Sequence, residues 1–242
     1  MGRLAVRPDR RGTEIMAALS WAALKHGVLH GGQVLIVDIS FTLLRMYIGM
    51  GFRPYGAPLN TRYDRVGALM IALPDPAHSR SAGPLSREFI SEISQQVILS
   101  ERDSQPIQEA IRAAEGTLVT DPRRVFDELS AHRDQVPRHT FLRELPEGKL
   151  RALAAQGFTV DVEPGLALAG VGWVDPEVYL ILEGSVEVST PGRPPEFRGP
   201  GSLVGEEALE STDPRRVTAV VREAGRVLVM NRDLLRRLIQ AG

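Results

Sequence analysis

Val204-Gly-Glu-Glu-Ala-Leu-Glu-Ser-Thr-Asp-Pro-Arg-Arg-Val-Thr218 joins a Gly-Glu-x-Ala-Leu turn to an arginine and a β-prone run across a short polar loop. Glu206 is a charged acceptor with room for a pair of sugar hydroxyls, and Arg215 is a fixed-charge donor able to clamp a phosphate. Gly205 and Ala208 are small, so backbone N–H groups near Glu207 and Ala208 can approach an anion closely.

On either side of this stretch, short apolar segments recur between Gly and Pro. They cover Phe158 to Val162, Leu166 to Ala169, Val178 to Leu182, Ser185 to Ser189, Glu196 to Arg198, Val217 to Arg222 and Arg226 to Met230. Regular short strands with turns between them predict a sandwich or barrel. Phe141, Leu142, Leu145, Leu150 and Leu153 outline a helical entrance, and Asn231 to Gln240 closes the chain as an amphipathic helix.

Taken together, Phe141-Leu-x-x-Leu145, Pro164-Gly165, Tyr179-Leu-Ile-Leu-Glu-Gly184-Ser-Val-Glu-Val188, Gly201-x-x-x-Gly205-Glu206-x-Ala208-Leu209 and Arg215 resemble the cyclic-nucleotide-binding domain family, the Crp-like antiparallel β-roll. The resemblance implies a cAMP or cGMP site. Glu206 would accept the ribose 2′-hydroxyl and Arg215 would pair with the cyclic phosphate. Gly205, Glu207, Ala208 and Leu209 would line the anion, with Arg216 adjoining it. The expected consequence of Arg215→Ala is loss of the nucleotide with little loss of fold. Val204 stands where that family carries an aromatic, and Arg216 and Val217 where it carries small residues.

The formal net charge is −1, which does not suit a general nucleic-acid binder. There are no cysteines, so disulfides, thiolate metal sites and a Cys nucleophile are excluded, and the histidines show no metal-ligand spacing. The longest apolar run, Val66 to Leu73, is too short to span a bilayer, and the N-terminus lacks an apolar signal core. A cytoplasmic location is the expectation.

The first 85 residues alternate differently. Leu4 to Val6 is β-prone, Arg7 to Thr13 is a turn, and Ile15, Leu19, Ala22 and Leu24 recur at helical spacing. Gln33 to Val37 reads as a buried strand, Phe41 to Met50 as a helix, and Phe52 to Tyr55 and Tyr63 to Leu73 as strands separated by a Gly/Pro/Asn loop. The order β-α-β-α-β-β is an α/β arrangement. Arg10-Arg-Gly-Thr-Glu14 lies between a strand and a helix start, where a solvated turn and an anion cradle are both physically sound.

Val6-x-Pro8-x-x-Arg11-Gly12, together with Leu44-Arg-Met-Tyr47-Ile-Gly-Met-Gly-Phe52, resembles the second half of a GNAT N-acyltransferase. Ala68 to His78 and Ser81 to Leu85 look like the N-acyl amino acid synthase and autoinducer-synthase-like branch. The resemblance implies that Val6, Arg11, Gly12 and Thr13 bind the acyl donor, either acyl-CoA or the phosphopantetheine of an acyl carrier protein. Tyr47 would act as general acid towards the leaving thiolate. Glu14 and Met16 replace the small residues of that turn. The match starts at the fourth strand of the family fold, so the expected domain is partial: either the chain is truncated or mis-started, or a second copy, as in a homodimer, completes it.

Residues 86–136 are nearly free of glycine and read as a helical connector, with Pro106 and Asp121-Pro122 starting helices. The expected architecture is α+β: a partial GNAT-like α/β segment at 1–85, a connector at 86–136, and a cyclic-nucleotide-binding β-roll at 137–242. Two functions follow from it. One is an N-acyltransferase regulated by a cyclic nucleotide. The other is a non-catalytic nucleotide sensor or oligomerisation module carrying a degenerate acyltransferase segment.

Overall fold

The structure, a computed structural model, describes residues 13–61, 65–72, 87–88, 91–92, 101–138 and 140–240. The chain divides into two compact units. One comprises Met1–Ile39, Leu43–Tyr55 and Leu69–Arg112, and the other Ser40–Thr42, Gly56–Ala68 and Ala113–Gly242.

In the first unit, α1 (Thr13–Leu29) buries Trp21 and Leu24. It is closed by a turn in which the Gly31 and Gly32 N–H groups donate to the Val28 and Gly27 carbonyls. Strand β1 (Leu35–Ser40) leads into a 3-10 turn (Phe41–Leu43) and then α2 (Leu44–Gly49). The apolar stretch expected as one helix therefore opens with a tighter turn. Gly51, at φ +93°, turns the chain out of α2. Strand β2 (Arg53–Pro54) then pairs antiparallel with Met70 and Ile71. Phe52 packs edge-on to Tyr47 at 5.0 Å and tilted to Trp21 at 6.2 Å. Ile71 and Ile111 form a small core with Val34, Tyr55 and Ile107.

Two further elements of the chain differ from expectation. Leu59–Thr61, within the expected loop, is a strand (β3) paired with Arg65 to Gly67 at the start of β4 (Arg65–Ala72). Helix α3 (Glu101–Thr117) begins before Pro106, which lies inside it. An early-turn proline forfeits one helical hydrogen bond, a cost the later turns offset by burying Ile111 and Ala114. Residues 1–12, which hold the expected strand at 4–6 and the expected site residues Val6, Arg11 and Gly12, and the segment 73–86 lie outside the described residues. Of Thr13 only its place at the head of α1 is described.

The second unit is built on two long strands. β8 (Glu177–Ser189) and β11 (Thr218–Asn231) run antiparallel along their whole length, from Glu177↔Asn231 to Ser189↔Thr218. Each had been expected as two strands. The reason for continuity is a glycine crossing. Gly184 has φ +82°, and a side-chain carbon on Gly225 would lie 2.0 Å from the Glu183 carbonyl oxygen. With only hydrogens at the crossing, the register shifts between Glu223 and Arg226 and both strands bend without ending.

The rest of the sheet assembles on this pair. β6 (Phe158–Val162) and β7 (Ala167–Ala169) pair with β11; β9 (Glu196–Arg198) and β10 (Leu203–Val204) pair with β8. Leu118–Val119, expected within a helical connector, is a further strand (β5) on β6. All these pairings are antiparallel.

Val178, Leu180 and Leu182 of β8, with Leu228 and Met230 of β11, face one core. Three helices cover it. α4 (Pro122–Arg133) contributes Val125 and Leu129, and α6 (Glu147–Gln156) contributes Leu150 and Leu153. α7 (Arg232–Gln240) contributes Leu234 and Leu235. Short α5 (Phe141–Glu144) adds Leu142. Each fully buried leucine contributes about 1.5–3 kcal/mol, so this core far outweighs the surface ion pairs.

Helix α4 starts as its sequence dictates: the Asp121 carboxylate accepts from the Arg123 N–H at 3.1 Å, and Pro122 occupies the first turn. Arg226 of β11 then fastens it. Its Nε and Nη2 donate to the two oxygens of Glu128 at 2.9 and 3.0 Å, and Nη1 pairs with Asp161. Burial pushes the Glu128 carboxyl up, but hydrogen bonds from Arg226 and Thr159 bring it below its ordinary value.

Gly225→Ala is expected to destabilise the full chain by at least about 1–3 kcal/mol, because the atoms its methyl group meets are backbone. Denaturant unfolding checks this. An unchanged midpoint would show that the strands do not need the close crossing.

Candidate functional site

Gly205, Glu206, Glu207, Ala208, Leu209 and Arg215 are brought together at one end of the long strand pair. Gly205 takes φ +84°, and a side-chain carbon there would sit 2.4 Å from Arg215 Nη1. Only glycine allows the turn and the approach at once. Glu206–Leu209 follows as one 3-10 turn. Ala208 is buried against the core, and the Ala208 and Leu209 carbonyls accept from Arg236 of α7. Arg216, the adjoining residue of the expected site, is exposed.

Arg215 is 3% exposed, and each of its three side-chain nitrogens has protein acceptors. Nε donates to Asp175 Oδ1 at 3.1 Å. Nη2 pairs with the same carboxylate and with the Glu177 carbonyl. Nη1 donates to the Gly205 carbonyl at 2.9 Å and to Glu207 Oε1 at 3.3 Å. Burial alone would lower the affinity of the guanidinium for its proton, but Asp175 and Glu207 more than restore it.

The main chain of Arg215 is held as well. Its N–H donates to the Trp173 carbonyl at 2.8 Å, and its carbonyl accepts from Gly172 at 2.9 Å. Trp173 lies so close over Gly170 that a side-chain carbon there would meet its ring at 2.5 Å. The loop carrying Asp175 is thus fixed to the residue its carboxylate neutralises.

Asp175 and Glu177 were not among the expected site residues. The signal that could have found them is Asp-Pro-Glu placed directly before the apolar strand Val178 to Leu182, where a charge has no solvent to face. Glu177 is 3% exposed. Its Oε1 accepts from the Thr42 N–H at 2.9 Å and from the Thr42 hydroxyl, and its Oε2 is buried with no hydrogen-bond partner. Burial pushes this carboxyl above its ordinary range, the Thr42 hydrogen bonds pull it back, and nearby Asp175 adds to the rise. Thr42 belongs to the same compact unit, where Phe41 also stacks edge-on to Phe158 at 5.4 Å.

Glu206 is paired through one oxygen only. Arg198 Nη1 donates to its Oε1 at 2.7 Å, and Oε2 is shielded and unpartnered. The carboxylates of Asp175, Glu206 and Glu207 thus meet the guanidinium groups of Arg198 and Arg215, an excess of negative charge when all are ionised. An incoming anion has to displace a carboxylate from Arg215.

This geometry overturns one expectation. Arg215→Ala is not expected to spare the fold, because it leaves the buried Asp175 carboxylate without its cation and takes one donor from each of the Gly205 and Glu177 carbonyls. Breaking such a pair from one side costs about 3–5 kcal/mol.

Tyr47, the expected general acid, is 6% exposed, with its hydroxyl paired to Ser20 and its ring against Phe52. Burial raises the phenol and the Ser20 hydrogen bond opposes the rise. Among the described residues no group of His, Cys, Asp and Glu is placed to hold a metal ion, and no helix is long and apolar enough to cross a membrane.

Residues 160–241 match the family described as "Cyclic nucleotide-binding domain". That stretch is a domain of the cyclic-nucleotide-binding type. No curated protein matches the chain at a significant level. A solved structure of Sp-2Cl-cAMPS bound to PKAR CBD2 is 17% identical, with a TM-score of 0.42 over 50% of this chain and 78% of that one. A cyclic nucleotide-binding domain from Methylobacillus flagellatus is 19% identical, with a TM-score of 0.40 over 52% and 73%. The regulatory subunit of a cAMP-independent protein kinase A from Trypanosoma brucei is 23% identical, with a TM-score of 0.40 over 49% and 48%.

The raised Glu177 fixes a sign for pH dependence. A carboxyl that holds its proton more tightly folded than unfolded contributes stability at low pH. That contribution is lost as pH rises from the ordinary value of 4.5 through the raised folded value. Relative to the unaltered chain, Glu177→Gln is expected to gain stability as pH rises above 4.5. Thermal melts across that range check it, and a pH-independent difference would show that the carboxyl titrates normally.

Proposed function

We propose that the β-roll is a regulatory sensor of a cyclic nucleotide, cAMP or cGMP, bound across the Gly205–Arg215 turn by exchange of carboxylate for phosphate. The observation that carries this reading is the pairing on one turn of an unsatisfied acceptor and a buried cation. Glu206 Oε2 has no partner, and the Arg215 guanidinium is held 2.9 Å from the Gly205 carbonyl at the head of the same turn. The first suits a ribose hydroxyl and the second a cyclic phosphate. The match of residues 160–241 to the cyclic-nucleotide-binding family supports the same ligand class.

In this reading Asp175 occupies the cation while no nucleotide is bound. The phosphate replaces it, and the loop at 170–176 is released from Arg215. Replacing Asp175 by Asn keeps an acceptor but removes the competing charge, so affinity for the nucleotide is expected to rise about tenfold or more. Calorimetry of the full chain with cAMP and cGMP tests this. Absence of binding by both the unaltered chain and Asp175→Asn would remove the sensor reading.

A second reading, acyl transfer from an acyl-CoA or acyl-carrier-protein thioester to an amine, rests on the Tyr47 corner. There Gly51 at φ +93° turns Phe52 back onto Tyr47. If the N-terminal segment works in this way under control of the β-roll, thioester turnover falls in Tyr47→Phe and responds to added nucleotide. Turnover that is absent, or equal in the variant, removes this second reading.

A further inference from the structure

Glu206 does not stand alone at the head of its turn. Arg198, the last residue of β9, is paired across the sheet with Val186 of β8, and its guanidinium is gripped from two sides. Nε and Nη2 donate to the two oxygens of Glu196 at 3.1 and 3.3 Å. Nη1 donates to the Leu203 carbonyl at 2.8 Å and to Glu206 Oε1 at 2.7 Å. The Arg198 side chain is 19% exposed, against 63% for Glu196 and 41% for Glu206. The arginine is therefore the ordered centre of the group, and the Leu203 contact ties it to the strand that leads into Gly205.

Two consequences follow for Glu206. A glutamate at a turn has several rotamers, and a planar guanidinium fixed at its far side selects one, with Oε1 spoken for and Oε2 left as the acceptor. The same contact neutralises Glu206, which otherwise adds to the negative charge of Asp175 and Glu207 around Arg215.

We infer that Arg198 is the positioning residue that turns Glu206 into a selective acceptor for the ribose 2′-hydroxyl, so that the site distinguishes a ribonucleotide from its 2′-deoxy counterpart. The inference rests on the nucleotide reading above. It adds that selectivity resides in the Glu196–Arg198–Glu206 chain and not in Glu206 by itself.

The experiment is competition binding on the full chain with cAMP and 2′-deoxy-cAMP. The unaltered protein is expected to prefer cAMP by about tenfold or more, the scale of one charged hydrogen bond. In Arg198→Ala that preference falls to within about twofold. In Arg198→Lys, which keeps the charge but loses the fork and so guards against misfolding of the first variant, it falls to an intermediate value. A purely structural or purely charge-based role lowers both affinities together and leaves their ratio unchanged, and that result overturns the inference. Equal binding of the two ligands by the unaltered protein also overturns it while leaving the nucleotide reading intact. Binding of neither removes both.

Discussion

A guanidinium that is 3% exposed has to be neutralised by the protein itself, and that requirement organises the second unit. The Arg215 side chain reaches the Gly205 turn, the Asp175 loop and the first residue of β8, while its main chain pairs with Trp173 and Gly172. These segments come from distant parts of the chain, and each supplies an acceptor the cation needs. In the proposed function the same group is the partner for the ligand phosphate. Structure and binding therefore draw on one charge, so a ligand can only take over contacts that the fold already uses.

The platform for this centre is the β8–β11 pair. The Gly184–Gly225 crossing lets both strands bend and continue. One end of the pair then carries the Asp175–Glu177 acceptors, while its middle receives α4 through Arg226 and Glu128. Helices α4, α6 and α7 close the apolar face, and α7 reaches back through Arg236 to the carbonyls that end the 206–209 turn. Packing of the roll and placement of the turn are thus linked through backbone acceptors as well as through the core.

Much of the roll was legible from local pattern. Strands at 158–162, 167–169 and 196–198, the Asp121 cap and the final helix fall where alternation, Pro and Asn place them. What failed were cases where local and long-range signals compete. Gly184 and Gly225 read locally as breaks, yet each permits a crossing that only the partner strand requires. Leu59–Thr61 and Leu118–Val119 are too short to show a period and became strands because an edge was there to pair with. Gly205, Glu206 and Arg215 were recognisable as a group, whereas Asp175, Glu177 and Arg198 were not, since nothing in their own neighbourhoods reveals the cation or carboxylate they meet.

The sequence by itself determined the chemical types on the turn: a glycine free to take positive φ, a carboxylate beside it and an arginine across a polar loop. It also determined the apolar alternation that makes a β-roll, because side-chain period and backbone freedom are local properties. Only the tertiary structure decided which charges neutralise one another. Asp175 lies 40 residues before Arg215 in the chain and Thr42 lies 135 before Glu177. Such pairs are chosen by burial, which makes an unmatched charge far more costly than the ordering needed to match it.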